Sequence, residues 1–374
     1  MVIFILILLS CSTRTNSYAP RGTSPRMHAI KSNPIFNTIC GDFAPSVFVP
    51  VNGLKLSAQQ QRSWYVNRLM QPSSSPRATN PQLQMTSRCD LYSDVVKRPR
   101  WGGPFGMIVR YLNQVFVGSI FAFIVRVLNK FKAHRLNTLT DLVWNRSEKR
   151  GLLTVSNHLS VMDDPGLFAA CLPWWCLPNS KFRWTICTED VFFANPFVQK
   201  LLGAGNGLPL DRSGSLEQPM FQRFQEKLDG GNWCHIFPEG RVWQRWRYND
   251  TDTHLGKFKF GVGKLIAHCK NQPIVVPFFH KGMDMVVPEK VTTNLKKPSV
   301  PISIVPRGGQ EVTIWVGEPI DFTEKVAKFN EKHPGILNGW SSTTESLELY
   351  SDITKDIYAA VKKLEDEAWP KPKP

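Results

Sequence analysis

GLLTVSNHLSVMDDPG, residues 151–166, contains a strand signal and a helix signal separated by a polar turn. Residues 152–155 are a short run of mostly apolar side chains, which predicts a buried strand. Asp164 followed by Pro165 is typical of a helix start, with an N-cap carboxylate and proline at the first helical position. The stretch therefore predicts a strand, a turn over residues 156–163 and a helix that begins near Pro165.

The same alternation recurs along the chain. Further short apolar runs, which predict buried strands, lie at residues 184–187, 208–210, 233–237, 274–279 and 312–316. Segments with helical character lie between several of them, at residues 219–228 and 258–269. Strand followed by helix, repeated, is typical of an α/β fold. We therefore predict a central mixed, mostly parallel sheet flanked by helices.

Residues 341–369 have a helical period. The apolar side chains that recur every three or four residues are Leu347, Tyr350, Ile353, Ile357, Val361 and Leu364. This spacing predicts an amphipathic helix near the C-terminus.

The N-terminal hundred residues differ from the rest in composition. They contain twelve Lys or Arg, three Asp and no Glu, and so supply +9 of the formal net charge of +16. The apolar run over residues 2–9 resembles a secretory signal without its basic n-region, and the Ser-, Pro-, Asn- and Arg-rich stretch after it is typical of an organelle transit segment. We predict that residues 1–95 are a targeting leader and disordered linker, because this composition cannot build much of a core.

Residues 111–125, YLNQVFVGSIFAFIV, are uncharged and strongly apolar, and they lie between Arg110 and Arg126. They are fewer than the roughly 20 residues that cross a bilayer upright. Two interpretations are open: a buried core helix, or a helix in one leaflet with its flanking arginines at the headgroups. The basic residues 130–135, KFKAHR, favour the membrane. We assign residues 96–150 to a membrane-associating helical segment.

The basic charge suits phosphate-bearing partners, namely anionic lipid, nucleic acid or a nucleotide cofactor. The eight cysteines form no C-x-x-C pair and no residues have metal-ligand spacing, so we predict no metal site. The sequence also lacks the G-x-S-x-G pattern of serine hydrolases and a P-loop.

His158 and Asp163 are a candidate pair for proton transfer. Of the eight histidines, only His158 has an aspartate five positions later. A turn can curl so that the carboxylate reaches one imidazole nitrogen and leaves the other pointing outward. Such a pair can take a proton from a hydroxyl, because the carboxylate fixes the tautomer and stabilises the imidazolium. The structural alternative is a histidine that caps a turn.

Three further blocks end strands with residues that suit a polar ligand or a turn. Residues 207–212, GLPLDR, end in Arg212, whose guanidinium can contact a phosphate or pair with an acid such as Asp211. Residues 236–241, IFPEGR, place Glu239, which can hydrogen-bond a hydroxyl, before Gly240, which lets the backbone approach a ligand. Residues 272–277, QPIVVP, predict a strand that ends in proline.

The order and spacing of these four blocks resemble the glycerolipid acyltransferase family, whose hallmarks are N-H-x4-D, G-x-x-x-D-R, F-P-E-G and V-P blocks. The resemblance covers residues 101–331. Several stretches are similar to the branch of the family that remodels cardiolipin: NHLSVMDDP, KFRWT, WCHIFPEGRV, GVGKLIAHC and PFFHKGM. Residues 208–214, LPLDRSG, are more like general lysophosphatidate acyltransferases.

The resemblance implies an acyltransferase domain over residues 151–335, followed by a C-terminal amphipathic helix and tail over residues 336–374. It implies that His158 is the general base, oriented by Asp163, and frees a lysophospholipid hydroxyl to attack an acyl ester. The residues implied to bind substrate are Asn157, Arg212, Glu239, Gly240 through its amide, and Arg241, with Lys257 or Lys259 as a further phosphate contact.

The implied reaction is CoA-free transfer of an acyl chain from a phospholipid to a lysophospholipid, with monolysocardiolipin as the expected acceptor. The expected partners are phospholipids and a membrane surface, without nucleic acid or cofactor, and the expected location is a mitochondrial membrane. The alternatives are an acyl-CoA-dependent acyltransferase of the 1-acylglycerol-3-phosphate type, a plastid or endoplasmic reticulum membrane, and a basic peripheral lipid-binding protein without activity.

Overall fold

The computed structural model of the chain describes residues 103–173, 177–188, 202–211, 214–244, 254–290, 302–303 and 305–370. The predicted leader over residues 1–95 and the candidate phosphate contact Arg212 lie outside these residues.

One sheet of eight strands organises the described part of the chain. The strands are β1 Lys130–His134, β2 Leu152–Ser156, β3 Trp184–Thr188, β4 Gly207–Leu210, β5 Trp233–Ile236, β6 Ile274–Lys281, β7 Glu311–Val316 and β8 Ile320–Asp321. Their order is β1-β7-β6-β2-β5-β3-β4, with β8 beside β6. All neighbours pair in parallel except β6 with β7 and with β8. The prediction of a mixed, mostly parallel sheet flanked by helices is confirmed.

The six predicted strands are β2 to β7, so the two-residue strand β8 was missed, and so was β1. Its residues alternate between exposed and half-buried, so they lack a continuous apolar run. Lys132 of β1 pairs with Glu311 at 2.9 Å, and Arg135 pairs with Glu367 at 2.9 Å. Residues 130–134 therefore form an edge strand, so their assignment to a helical segment is wrong, whereas their approach to a membrane stays a prediction. The predicted domain boundaries remain a prediction.

The helices cover the two faces of the sheet. They are α1 Gly103–Ala122, α2 Leu136–Asn145, α3 Asp163–Cys171, α4 Pro219–Asp229, α5 Gly261–Ala267, α6 Met283–Val286, α7 Thr323–Lys332 and α8 Thr344–Ala368. The predicted C-terminal helix is α8, whose apolar side packs on α5 and β6. A Cβ at Gly263 would lie 2.1 Å from the Tyr350 carbonyl oxygen, so glycine is needed where α5 meets α8.

Helix α1, extended by the π-helix Phe123–Val127, has apolar side chains on two faces. One face packs on α3 and buries residues such as Phe121 and Val125. The other face carries a stripe of six apolar side chains that are 52–74% exposed: Phe105, Ile108, Leu112, Phe116, Phe123 and Val127. The helix is thus part core and part exposed apolar surface. We call these six residues the outer stripe.

Among the described residues, only Phe105–Val127 is long and apolar enough to cross a membrane on length and composition. The arginines at its ends behave differently. Arg126 is exposed, but the half-buried Arg110 hydrogen-bonds Asn206 and lies over the Trp184 ring. The prediction that both arginines flank the helix at the headgroups is therefore wrong for Arg110.

The core directly beneath the candidate site is aromatic. The ring of Phe168 on α3 meets the rings of Trp233 and Phe278 edge to face, with centroids 5.1 Å and 5.7 Å apart. All five residues of β2 are buried, as are all four of β5. Two parallel strands buried on both faces give the turns at their carboxyl ends a rigid base.

Candidate active site

The candidate site lies at the carboxyl ends of β2 and β5, which are parallel neighbours. His158 follows β2 by two residues, and Phe237 follows β5 directly. The two rings stack, with centroids 4.0 Å apart and planes 12° apart. This edge is where ligands bind in open α/β sheets.

Asp163 holds the turn that carries His158. Its Oδ2 accepts the backbone N–H groups of Leu159 at 2.6 Å and Ser160 at 2.9 Å, and it lies 2.9 Å from Nδ1 of His158. The turn thus curls around one oxygen, which explains how two residues five apart can meet. The Asp163 side chain is fully buried, whereas that of His158 is 19% exposed.

The regular helix of α3 follows Asp164 and begins at Pro165, as predicted, but its cap differs from the prediction. Asp164 has extended backbone angles, φ −114° and ψ 118°, directly before Pro165, but its side chain caps no N–H of the helix. The Asp164 carboxylate instead forms an ion pair with Arg183. The N-cap role predicted for Asp164 is therefore wrong, because a guanidinium takes the carboxylate.

Glu239 supports the turn from the neighbouring strand. Its Oε2 accepts the backbone N–H of His158 at 2.9 Å, and its Oε1 accepts that of Gly256 at 2.8 Å. The side chain is 4% exposed, and this burial raises the pKa of Glu239 well above its usual value. Glu239 is not among the residues that line the cavity described below. Its position favours holding His158 over the predicted contact with substrate.

Asn157 also faces the protein interior. Its side-chain amide donates to the His280 carbonyl at 2.9 Å and accepts the His280 N–H at 3.0 Å, which joins the turn to β6. Its side chain is fully buried and does not line the cavity. Like Glu239, Asn157 is placed to position His158, and the predicted substrate contact has no support from this geometry.

Gly240 and Arg241 lie on the cavity wall, with Lys259 beside them. The Gly240 amide donates to the Phe237 carbonyl at 3.1 Å within the turn, and its contact with substrate remains a prediction. Gly240 has φ +67°, and a Cβ there would lie 2.8 Å from Nζ of Lys259. Glycine at this position therefore leaves room for the Lys259 side chain to lie against the turn. Lys257 is exposed and does not line the cavity.

The cavity beside His158 has a volume of about 360 Å³. Its polar wall includes Asp164, Arg183, Arg241 and Lys259. Its apolar wall is formed by side chains from several elements, including the inner face of α1: Val117, Ile120, Phe121, Phe168, Leu172, Leu177, Phe182 and Leu216. A cavity with a candidate proton-transfer group, cations and a long apolar wall suits an amphipathic substrate that carries phosphate.

The chain matches the acyltransferase family model over residues 131–281, which includes this site. It is 33% identical to N-acylphosphatidylethanolamine synthase of Arabidopsis thaliana over 58% of this chain and 72% of that protein. It is 33% identical to a tafazzin of Dictyostelium discoideum over 59% of this chain and 70% of that protein. It is 29% identical to tafazzin of Drosophila melanogaster over 72% of this chain and 66% of that protein.

The chain belongs to the tafazzin family of acyltransferases. Membership makes it an enzyme that transfers acyl groups, as the order of the four blocks predicted. The roles of individual residues in this tafazzin-family chain remain predictions.

Sequence reasoning missed two residues of the site. His280 is fully buried on β6, with Nε2 2.9 Å from the Asn157 carbonyl oxygen and 3.5 Å from Oδ2 of Asp163. Arg183 lines the cavity and pairs with Asp164. Both lie in stretches that carried the resemblance, PFFHKGM and KFRWT, which was the one signal that could have pointed to them.

Proposed function

We propose that the chain transfers an acyl chain from a membrane phospholipid to a lysophospholipid without CoA, with monolysocardiolipin as the acceptor. The observation that carries this proposal is the imidazole of His158, which Asp163 holds at Nδ1 while the ring lines a cavity with cationic and apolar walls. Family membership supports the same conclusion.

In the proposed reaction, Nε2 of His158 takes the proton of the acceptor hydroxyl while the hydroxyl oxygen bonds to the acyl carbonyl carbon of the donor. The tetrahedral intermediate then loses the donor's alkoxide, which takes the proton back from His158. One ester forms and one breaks, so the enzyme must supply orientation and proton transfer more than driving force. A positioned base contributes about 10²–10⁴-fold to such a step. Arg241 and Lys259, with Arg212, would hold lipid phosphates.

The outer stripe supports a membrane-bound enzyme. Six exposed apolar side chains on one helix face are costly in water and stabilising in the acyl region of one leaflet. The opposite face of α1 lines the cavity, so a lipid in that leaflet would lie one helix width from His158. We propose a mitochondrial membrane, from the family and the acid-poor leader; a fluorescent fusion seen in plastids or the endoplasmic reticulum would contradict this location.

The test uses the purified full chain in vesicles of phosphatidylcholine, labelled in its acyl chain, with monolysocardiolipin and no CoA. We expect labelled cardiolipin from the wild type, and no product from His158→Gln at unchanged vesicle binding. His333→Gln, on the loop after α7, is the matched control and should keep full activity. Product only after addition of acyl-CoA would establish the CoA-dependent alternative. Activity of His158→Gln equal to wild type would exclude the proposed base, and vesicle binding without any product would favour a lipid-binding protein.

A second candidate is transfer to an amine. The name of the Arabidopsis relative, N-acylphosphatidylethanolamine synthase, indicates acylation of the phosphatidylethanolamine nitrogen, and the chain is 33% identical to that protein. The proposed base His158 could take a proton from the headgroup amine of phosphatidylethanolamine as well as from a hydroxyl. Phosphatidylethanolamine in the same vesicles decides the matter, because mild alkali cleaves an ester product and leaves an amide product intact.

A further inference from the structure

Arg183 places a buried cation on the cavity wall, and in the sequence it lies outside the four blocks. It directly precedes β3, and its side chain is 11% exposed. The guanidinium lies 5.3 Å above the Phe168 ring and pairs with Asp164, whose side chain is 6% exposed. Asp164 adjoins Asp163 in the chain, so this ion pair belongs to the same turn as the proposed base.

The guanidinium has more donors than partners. An arginine carries five N–H donors, and Asp164 is its one ion-pair partner among the described residues. Its Nε is buried without a hydrogen-bond partner in that part of the chain. Burial lowers the pKa of Arg183 to about 10, so the group stays charged at neutral pH. An unsatisfied buried donor of this kind costs stability unless a ligand pairs with it.

We propose that Arg183, with Asp164 as its counter-ion, binds the phosphate of a lipid substrate inside the cavity. A planar guanidinium can hold a carboxylate on one edge and a phosphate on another. The wall beside it is apolar, with Phe168, Phe182 and Leu177, and this combination selects an anion attached to an acyl chain. The site rests on the proposed function. It differs from the group of Arg241 and Lys259, which follows β5.

A purely structural role predicts different behaviour. If Arg183 only neutralised Asp164, its loss would destabilise the fold and weaken the binding of all substrates equally. If Arg183 binds phosphate, its loss should weaken the binding of phosphate-bearing ligands alone. Arg183→Met by itself would leave Asp164 buried and unpaired, whereas Arg183→Met with Asp164→Asn removes both charges together. Replacing a buried ion pair by neutral side chains of similar size is often tolerated.

The experiment measures binding without catalysis. Calorimetry on the full chain compares lysophosphatidylcholine with monoacylglycerol of the same chain length. We expect the wild type to prefer the phosphate-bearing ligand by about tenfold or more, as one charge-assisted contact allows. The double variant should lose this preference and keep its affinity for monoacylglycerol, and Arg183→Lys should lie between. The matched control is Arg150→Met with Asp321→Asn, an Arg–Asp pair on the surface, which should behave like wild type.

Each outcome decides a separate question. A preference that survives in the double variant overturns the proposal, as does an equal loss of affinity for both ligands. Inorganic phosphate should bind far more weakly than the lysophospholipid; binding as tight as the lipid would overturn the lipid assignment. If the preference depends on Arg183 but the wild type transfers no acyl chain, the phosphate site stands and the proposed function fails.

Discussion

Replacing Asp163 by asparagine should separate the two tasks of this carboxylate, which are to hold the turn and to hold the charge of His158. Its Oδ2 accepts two backbone N–H groups at 2.6 Å and 2.9 Å, and an amide oxygen at the same point can keep both. A neutral amide cannot stabilise the imidazolium that forms when His158 takes a proton. The turn should therefore persist while proton transfer fails.

The size of the loss follows from the proton-transfer step. A positioned base contributes about 10²–10⁴-fold, which corresponds to about 3–5 kcal/mol of transition-state stabilisation. Oδ1 of Asp163 is buried and has no hydrogen-bond partner among the described residues, so the asparagine amide would place an unsatisfied donor there. That donor should cost about 1–3 kcal/mol of unfolding free energy. Activity must then be measured well below the melting temperature of the variant.

The assay is the CoA-free vesicle reaction, with kcat and KM measured separately for the lysophospholipid. We expect kcat to fall and KM to stay near the wild-type value, because the cavity walls are unchanged. Asp321→Asn, at an exposed carboxylate, is the control for a simple loss of charge. A folded Asp163→Asn enzyme whose kcat lies within about threefold of wild type would exclude the proposed charge role of Asp163, since a positioned base should be worth far more.

Three further predictions follow from buried or exposed side chains. Burial lowers the pKa of His268 to about 4, whereas the pKa in the unfolded chain is about 6.5, so the unfolded state binds more protons between these two values. Up to about 3 kcal/mol of unfolding free energy should therefore be lost as pH falls through this range. Urea unfolding at acid pH should show a smaller loss for His268→Gln than for the wild type. Gly240→Ala should lower the melting temperature by the equivalent of about 1–3 kcal/mol and raise KM, because alanine is strained at φ +67° and displaces Lys259. Phe116→Glu on the outer stripe should reduce vesicle co-sedimentation by roughly tenfold or more, whereas Asn330→Glu, exposed on α7, should not.

The central strands were predictable because of where they lie. Strands β2 and β5 are buried on both faces, and such strands need continuous apolar runs, which stand out in a sequence. The edge strand β1 has one neighbour and keeps charged residues such as Lys132 in water, so its sequence resembles a basic surface segment. The misassignment of residues 130–134 to a helical segment follows from this difference.

The candidate site was predictable in residue identity more than in residue role. The spacing of His158 and Asp163 pointed to a shared turn, and the structure brings the two side chains to 2.9 Å. Glu239 and Asn157 were expected to touch substrate because the family resemblance implied this role. Their partners are backbone groups on other elements, 81 positions away for Glu239 and 123 for Asn157, and no local pattern reveals such pairs. Arg183 was missed for the same reason.

Helix α1 shows why the membrane question could not be decided from sequence. A helix packed in a core and a helix inserted in a leaflet both need apolar residues. A helix that packs on the core with one face and inserts in a leaflet with the other is apolar on two faces, so its hydrophobic periodicity is weak. The fold separates the two demands: Phe121 faces α3 and the cavity, while Phe116 faces outward. If the outer stripe binds a leaflet, the same helix fixes the height of His158 relative to the lipid headgroups. A substrate would then enter without leaving the bilayer, and the loss of membrane binding and the loss of activity in outer-stripe variants should run in parallel.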